Sequence, residues 1–136
     1  MTAAETEAIG RRFFAEQDRL KGQLTEDLCA EGYTAEINGF PVMDRAGHNG
    51  MAEGFYGAFP DMHQVIEDTV ADDERVAVRF RARGTHQGEL MGMAATGKPI
   101  DVVGMAIVRV EDGKVVSLKE VFDLHTMMEQ LGVAPS

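Results

Sequence analysis

The chain has a single cysteine, Cys29, among its 136 residues, so no internal disulfide can form. A lone thiol fits a reducing compartment, and a cytoplasmic location is expected. No apolar run approaches the roughly 18 residues that would mark a membrane-spanning helix. The N-terminal stretch MTAAETEAIGRRFF has no charged region followed by an apolar one, so a secretory signal is not expected. Basic residues are scarce: 13 Lys and Arg stand against 23 Asp and Glu, a formal net charge of -10. That balance argues against nucleic acid or an anionic membrane surface as a partner. The four histidines are scattered, with no Cys/His pair at zinc spacing and no HExxH, so neither a protein-built metal site nor a cofactor is expected. GxSxG, the P-loop and GxGxxG are also absent.

What is present is ordinary for a soluble domain: 44% apolar and 26% charged residues. Residues 1–136 read as one domain with one core, without internal repeat, low-complexity tract or linker. Residues 3–21 predict a helix, with Ile9, Phe13, Phe14 and Leu20 on its apolar side and Gly22 ending or bending it. Thr25 is expected to cap a short second helix that turns Leu24, Leu28 and Cys29 inward. The stretch GYTAEINGFPVMDRAG is rich in turn residues and reads mainly as loop. A third helix is expected from about 47 to 59, stopped by Pro60, with Met51, Phe55, Ala58 and Phe59 inward. Its glycines, Gly50, Gly54 and Gly57, are costly in a helix and predict close packing against another backbone.

After Pro60 the pattern alternates. Strands are expected at about 62–71, 74–86, 99–111 and 114–123, with ADDE and a tight EDG turn joining the outer pairs. A last helix follows at about 124–131, with Asp123 as its cap. Helices followed by a meander imply an α+β domain: a curved antiparallel sheet with helices on one face. The other face is also apolar at Val103, Met105, Ile107, Val115 and Val121, and such a face needs cover. A second copy of the chain is the simplest cover, so a homodimer through the outer sheet face is expected. Arg75, Arg79, Arg81 and Arg83 share that outer face and read as ion-pair partners of the many acids rather than as an anion site.

The chemistry centres on the run VVSLKEVFD. At a period of two, Val116, Leu118, Glu120 and Phe122 share one face, and Lys119, Val121 and Asp123 the other. A carboxylate in line with Leu and Phe is costly to bury unless it is paired, protonated or working. Glu120 is therefore the candidate general base or acid; the alternative is a structural ion pair or a wet strand end. His86, in GTHQG, follows the inward parity of Val76, Val78, Phe80 and Ala82 and is the second candidate catalytic group, or else a loop anchor. Tyr33 offers a phenol to orient a carbonyl, and Glu36 a second acid or a surface charge. Phe55, Ala106 and Phe122 are expected to line the pocket, together with Met91 and the neighbouring methionines Met93 and Met105. His48 and His63 read as structural or exposed.

From Phe59 onward the chain resembles the SnoaL-like polyketide cyclases of the nuclear-transport-factor-2-like superfamily. The blocks GTHQGELMG, TGK and VEDGK followed by EVFDL carry the resemblance, over about residues 55–132. It implies a cone-shaped α+β fold around an apolar pocket, commonly a dimer. It also implies cofactor-free aldol-type closure or isomerisation of a small carbonyl compound, with Glu120 at the position of the family's acid, usually Asp. Where the cyclases often carry a His in the preceding strand, this chain has Ala106. Lys119 replaces an aromatic residue, and Glu36 stands near an early-loop His. A related epoxide hydrolase would need a second acid and an arginine across the pocket; a non-catalytic binding module would need only the pocket.

Overall fold

The computed structural model describes residues 1–133. Three helices, α1 (Ala3–Arg19), α2 (Arg45–Ala58) and α3 (Leu124–Gln130), pack with five strands, β1 (Cys29–Ile37), β2 (His63–Ala71), β3 (Arg75–Thr85), β4 (Pro99–Glu111) and β5 (Lys114–Phe122). The strands form one sheet in the order β1-β5-β4-β3-β2. It is curved and does not close.

Thr2 starts α1 by accepting from the Glu5 amide at 3.1 Å, which satisfies one of the donors a helix start leaves open. The inward side of α1 buries Phe13 and Phe14. Gly22 follows with φ +83, and a Cβ there would strike Ala52 of α2. A left-handed residue without a side chain is what lets the chain leave α1 while α2 lies this close. Asp44 caps α2, accepting from the Gly47 amide at 2.8 Å. Asp123 caps α3 through the amide and hydroxyl of Thr126.

The four later strands form the expected antiparallel meander. Asp112 and Gly113, both at positive φ, make the two-residue turn between β4 and β5. Alternation on β3 and β4 sends Val76, Val78, Phe80, Val102, Val108 and Val110 into the core. Met105 and Ile107 are left about half exposed on the outer face.

Four expectations fail. The segment after α1 makes turns rather than a second helix, although Leu24, Leu28 and Cys29 are buried as expected. Residues 29–37, with 32–37 expected to open a loop and Cys29 to lie on the second helix, form β1, which runs parallel to β5 and makes the sheet mixed. Tyr33, Ala35 and Ile37 alternate inward there, but Gly32 within the strand and Asn38-Gly39 just after it mask it. On β5 a bulge sets Val115 opposite Val110 and Ser117 opposite Arg109. The extra residue reverses the parity, so Val115 is buried in the core rather than on the outer face. From Leu118 onward the expected parity holds. Finally, a Cβ at Gly50, Gly54 or Gly57 would meet nothing within 4 Å, so no close packing explains these glycines.

The outer-face arginines are paired within the chain. Arg79 and Arg81 both reach Glu67, at 3.1 and 2.9 Å, and Arg81 and Arg83 reach Asp101, at 3.2 and 3.4 Å. Among the described residues no helix is long and apolar enough to cross a membrane.

Candidate active site

Between the inner face of the sheet and the helices lies a cavity of about 80 Å³. Its walls are mainly apolar, with Phe55, Phe80 and Phe122 as aromatic walls and Met51, Met62 and Met127 as flexible ones. This volume is well below the roughly 300 Å³ of a typical ligand pocket. A larger molecule must therefore displace wall side chains, and unbranched methionines yield most readily. Five polar side chains interrupt the apolar lining: Gln17, His48, Tyr56, Gln64 and Glu120.

Glu120 sits on β5, held from both sides of the strand. Asn38, in a left-handed conformation at φ 52, donates its amide to the Glu120 carbonyl at 2.9 Å. Its side-chain oxygen accepts from the Phe122 amide at 2.8 Å. On the other side, Ala106 of β4 pairs with Glu120 in register. The carboxyl itself is partly buried and has no hydrogen bond or ion pair to any described residue. Desolvation alone pushes its pKa up to about 7, because an apolar surrounding disfavours the charged form. Phe55 and Phe122 stand edge to face at 5.7 Å on the same wall.

His48, read from sequence as structural or exposed, is a cavity residue. It is 4% exposed, and its Nδ1 lies 2.9 Å from the hydroxyl of Tyr33, itself buried. The two rings stack at 20°. Burial lowers the His48 pKa to about 4 and pushes the Tyr33 phenol up, with Glu120 contributing. Both side chains are therefore uncharged near neutrality. The one signal in the sequence was the helical spacing of His48 with Met51, Ala52 and Phe55, the inward side of α2.

A second polar group lies across the cavity. The Tyr56 hydroxyl donates to Asp18 Oδ1 at 2.7 Å, and the Gln64 amide donates to Asp18 Oδ2 at 2.8 Å. Gln17, the residue before Asp18 on α1, is buried and its Nε2 has no partner among the described residues. An unpaired buried amide costs roughly 1–3 kcal/mol.

The expected site residues separate accordingly. Glu120, Phe55 and Phe122 line the cavity. Tyr33 stands behind His48 and does not line it. His86 lies outside it: fully buried, it takes the Thr96 amide on Nδ1 at 3.1 Å and packs on Phe59 at 5.4 Å. Its inward parity holds, but the strand ends at Thr85, and the side chain anchors the loop that follows. Glu36 is exposed, beside Met105, Lys119 and Val121 in an open pocket of about 360 Å³ on the outer face. Met91 is 62% exposed in a turn at φ 49. Met93 packs on the core without lining the cavity, and Met105 is on the outer face. Ala106 is buried beside Glu120. Among the described residues no group of three or more His, Cys, Asp or Glu is arranged to hold a metal ion.

A family model described as SnoaL-like polyketide cyclase matches residues 9–131. No curated protein matches the chain. Among solved structures, AclR of Streptomyces galilaeus, described as a putative hydroxylase, superposes with a TM-score of 0.88 at 27% identity, over 99% of this chain and 89% of AclR. IdmH of Streptomyces antibioticus, described as a putative polyketide cyclase, gives 0.84 at 28% identity, over 94% of this chain and 99% of IdmH. A Catenulispora acidiphila protein with a ketosteroid isomerase-like fold gives 0.77 at 17% identity, over 96% and 95%, a likeness of fold alone. The fold is thus of the ketosteroid isomerase and nuclear-transport-factor-2-like type, and the chain belongs to the SnoaL-like polyketide cyclase family, of cyclase- and isomerase-type small-molecule enzymes.

Proposed function

We propose that the protein is a cofactor-free enzyme that removes a proton next to a carbonyl group, for an aldol-type cyclisation or an isomerisation of a small apolar substrate, with Glu120 as the base. The observation that carries this reading is the unpaired carboxyl of Glu120 in an apolar cavity, its pKa raised to about 7. A base with a pKa near the working pH is ionised often enough to act and basic enough to take a proton from carbon. The Glu120 carboxylate takes the α proton, the C–H electron pair forms the enolate, and Glu120 becomes a neutral acid. In cyclisation the enolate carbon then attacks a second carbonyl, and the new alkoxide recovers the proton from Glu120. In isomerisation the proton returns to a different carbon. The match to the SnoaL-like polyketide cyclase family supports this class of chemistry.

Epoxide hydrolysis has less support. Arg79 and Arg81 are engaged with Glu67 on the outer face, and Glu36 is exposed on that face as well. A purely binding role would favour a neutralised Glu120, whereas its carboxyl has no ion pair among the described residues. The test is hydrogen–deuterium exchange at the α carbon of a simple aryl ketone, α-tetralone, followed by NMR in D2O. Wild type should catalyse the exchange, and Glu120→Gln should lower the rate by at least about 100-fold, as expected for loss of a general base. Equal rates in the two proteins would refute the reading.

The outer sheet face is proposed to pair with a second copy of the chain. Met105, Ile107 and Val121 are 51%, 48% and 61% exposed on adjacent strands. A two-fold contact would cover this stripe with itself.

A further inference from the structure

We infer that His48 directs its Nε2–H into the cavity as the donor to the oxygen that gains charge when Glu120 takes the α proton, and that Tyr33 sets this tautomer from behind. The inference rests on the reading of Glu120 as the base. It begins with the Tyr33 hydroxyl, 2% exposed at the residue level and with one partner among the described residues, His48 Nδ1 at 2.9 Å. A buried phenol hydrogen needs an acceptor. The Nδ1 lone pair is the acceptor within reach, so Tyr33 donates. An uncharged imidazole that accepts at Nδ1 carries its proton at Nε2.

Nε2 faces the cavity. His48 lines the same walls as Glu120, and its Nδ1 edge is turned to Tyr33, which is not a lining residue. Nε2 bonds to no described residue, and it is absent from the sealed, unpaired buried atoms, which are Gln17 Nε2 and His86 Nε2. The stacked Tyr33 ring at 6.0 Å, inclined by 20°, holds the imidazole plane.

Charge suits the role. The titratable groups that share the cavity with His48 are Tyr56, on the same helix, and Glu120, with Tyr33 bonded to its Nδ1 from behind. Burial keeps the imidazole neutral down to about pH 4. A neutral ring beside an ionised Glu120 does not form an ion pair that would disarm the base. A preorganised neutral imidazole N–H can polarise a carbonyl, a use already known from triosephosphate isomerase. Such donors aimed at developing charge are worth most in a dry site. Tyr33 is then a positioning residue, acting only through His48.

The experiment has two readouts that need no turnover. Nitrogen-15 NMR of the full chain at pH 7 should show the His48 ring protonated at Nε2 and bare at Nδ1. Tyr33→Phe, which removes only the hydroxyl, should release the proton to a mixture of the two nitrogens. A proton on Nδ1 in the wild type overturns the inference. The second readout is binding of p-nitrophenol, whose phenolate is a stable stand-in for an enolate and absorbs apart from the phenol. It is measured in a Glu120→Gln background, where the side chain is uncharged as after proton capture. The phenolate should bind, His48→Ala should weaken it by about tenfold or more, Tyr33→Phe by about twofold through the lost fraction of the Nε2–H tautomer, and His48→Gln, which keeps an N–H donor, should stay within about threefold. Phenolate binding that is absent, or unchanged by His48→Ala, overturns the inference. The two ideas fail separately. Tetralone exchange that depends on Glu120, with the tautomer wrong, leaves the base and removes the donor. The correct tautomer and phenolate response, with exchange indifferent to Glu120→Gln, removes the base and leaves His48 as the anion-binding donor.

Discussion

Ala106 stands directly across the β4–β5 ladder from Glu120. Facing side chains in such a pair have Cβ atoms about 4.5–5.5 Å apart, close enough for a polar neighbour to hydrogen-bond the carboxyl. A methyl group offers nothing. The absence of a partner here is what leaves desolvation as the cause of the raised Glu120 pKa.

A hydroxyl at this position should therefore disarm the base in part. Ala106→Ser places a donor next to the carboxylate and favours its charged form. The apparent pKa of the tetralone exchange rate, about 7 in the wild type if Glu120 is the base, should fall by roughly half a unit to one unit. The pH–rate profile of the variant checks this; an unmoved midpoint would mean that Glu120 does not set it.

Glu120 and His48 should give stability opposite dependences on pH. Glu120 has a folded pKa of about 7 against an ordinary 4.5, so the folded state binds more protons between these values and stability falls as pH rises through them. His48 has a folded pKa of about 4 against 6.5. The unfolded state then binds more protons, and stability rises over that window. The wild type should be nearly flat where the windows overlap. Glu120→Gln should remove the falling limb and gain about 2 kcal/mol relative to wild type at pH 8, whereas His48→Gln should lose the rising limb. Urea unfolding at a series of pH values tests both signs, and a Glu120→Gln variant no more stable than wild type at pH 8 would contradict the first.

Gly50, Gly54 and Gly57 of α2 should be replaceable. A Cβ at Gly54 meets nothing within 4 Å, and the position is exposed in mid-helix. Gly54→Ala should raise stability by about 0.5–1 kcal/mol, since alanine loses less backbone entropy in a helix. A lower thermal midpoint for the variant would point to a role that the packing does not reveal.

A charge on the outer face should separate the proposed dimer. Met105→Glu, at the 51% exposed centre of the apolar stripe, would bring like charges together across a two-fold axis. Sedimentation should give the dimer mass for wild type and the monomer mass for the variant. A monomeric wild type would rule this surface out as a stable self-contact.

Local pattern carried most of this fold. Period-two alternation located β2 to β5, and helical spacing with Pro60 and Gly22 located α1 and α2, because those signals depend on neighbours a few residues apart. The position of Glu120 was legible for the same reason, since Leu118, Glu120 and Phe122 lie beyond the bulge that reverses Val115 and Val116. β1 was missed because its evidence is its partner: it is a strand by pairing in parallel with β5, some 80 residues later, while its own turn residues argue for a loop.

The site divides in the same way. The sequence by itself determined that an acid would lie among apolar side chains on the last strand, because side-chain parity is a property of the backbone. Only the tertiary structure decided what faces that acid. His48 and Tyr33, 15 residues apart and in different elements, meet at 2.9 Å only because α2 lies over β1. His86, with the right parity, falls outside the cavity because its strand ends one residue before it. Ala106 leaves the carboxyl unpaired because register, which no single strand encodes, sets it opposite Glu120.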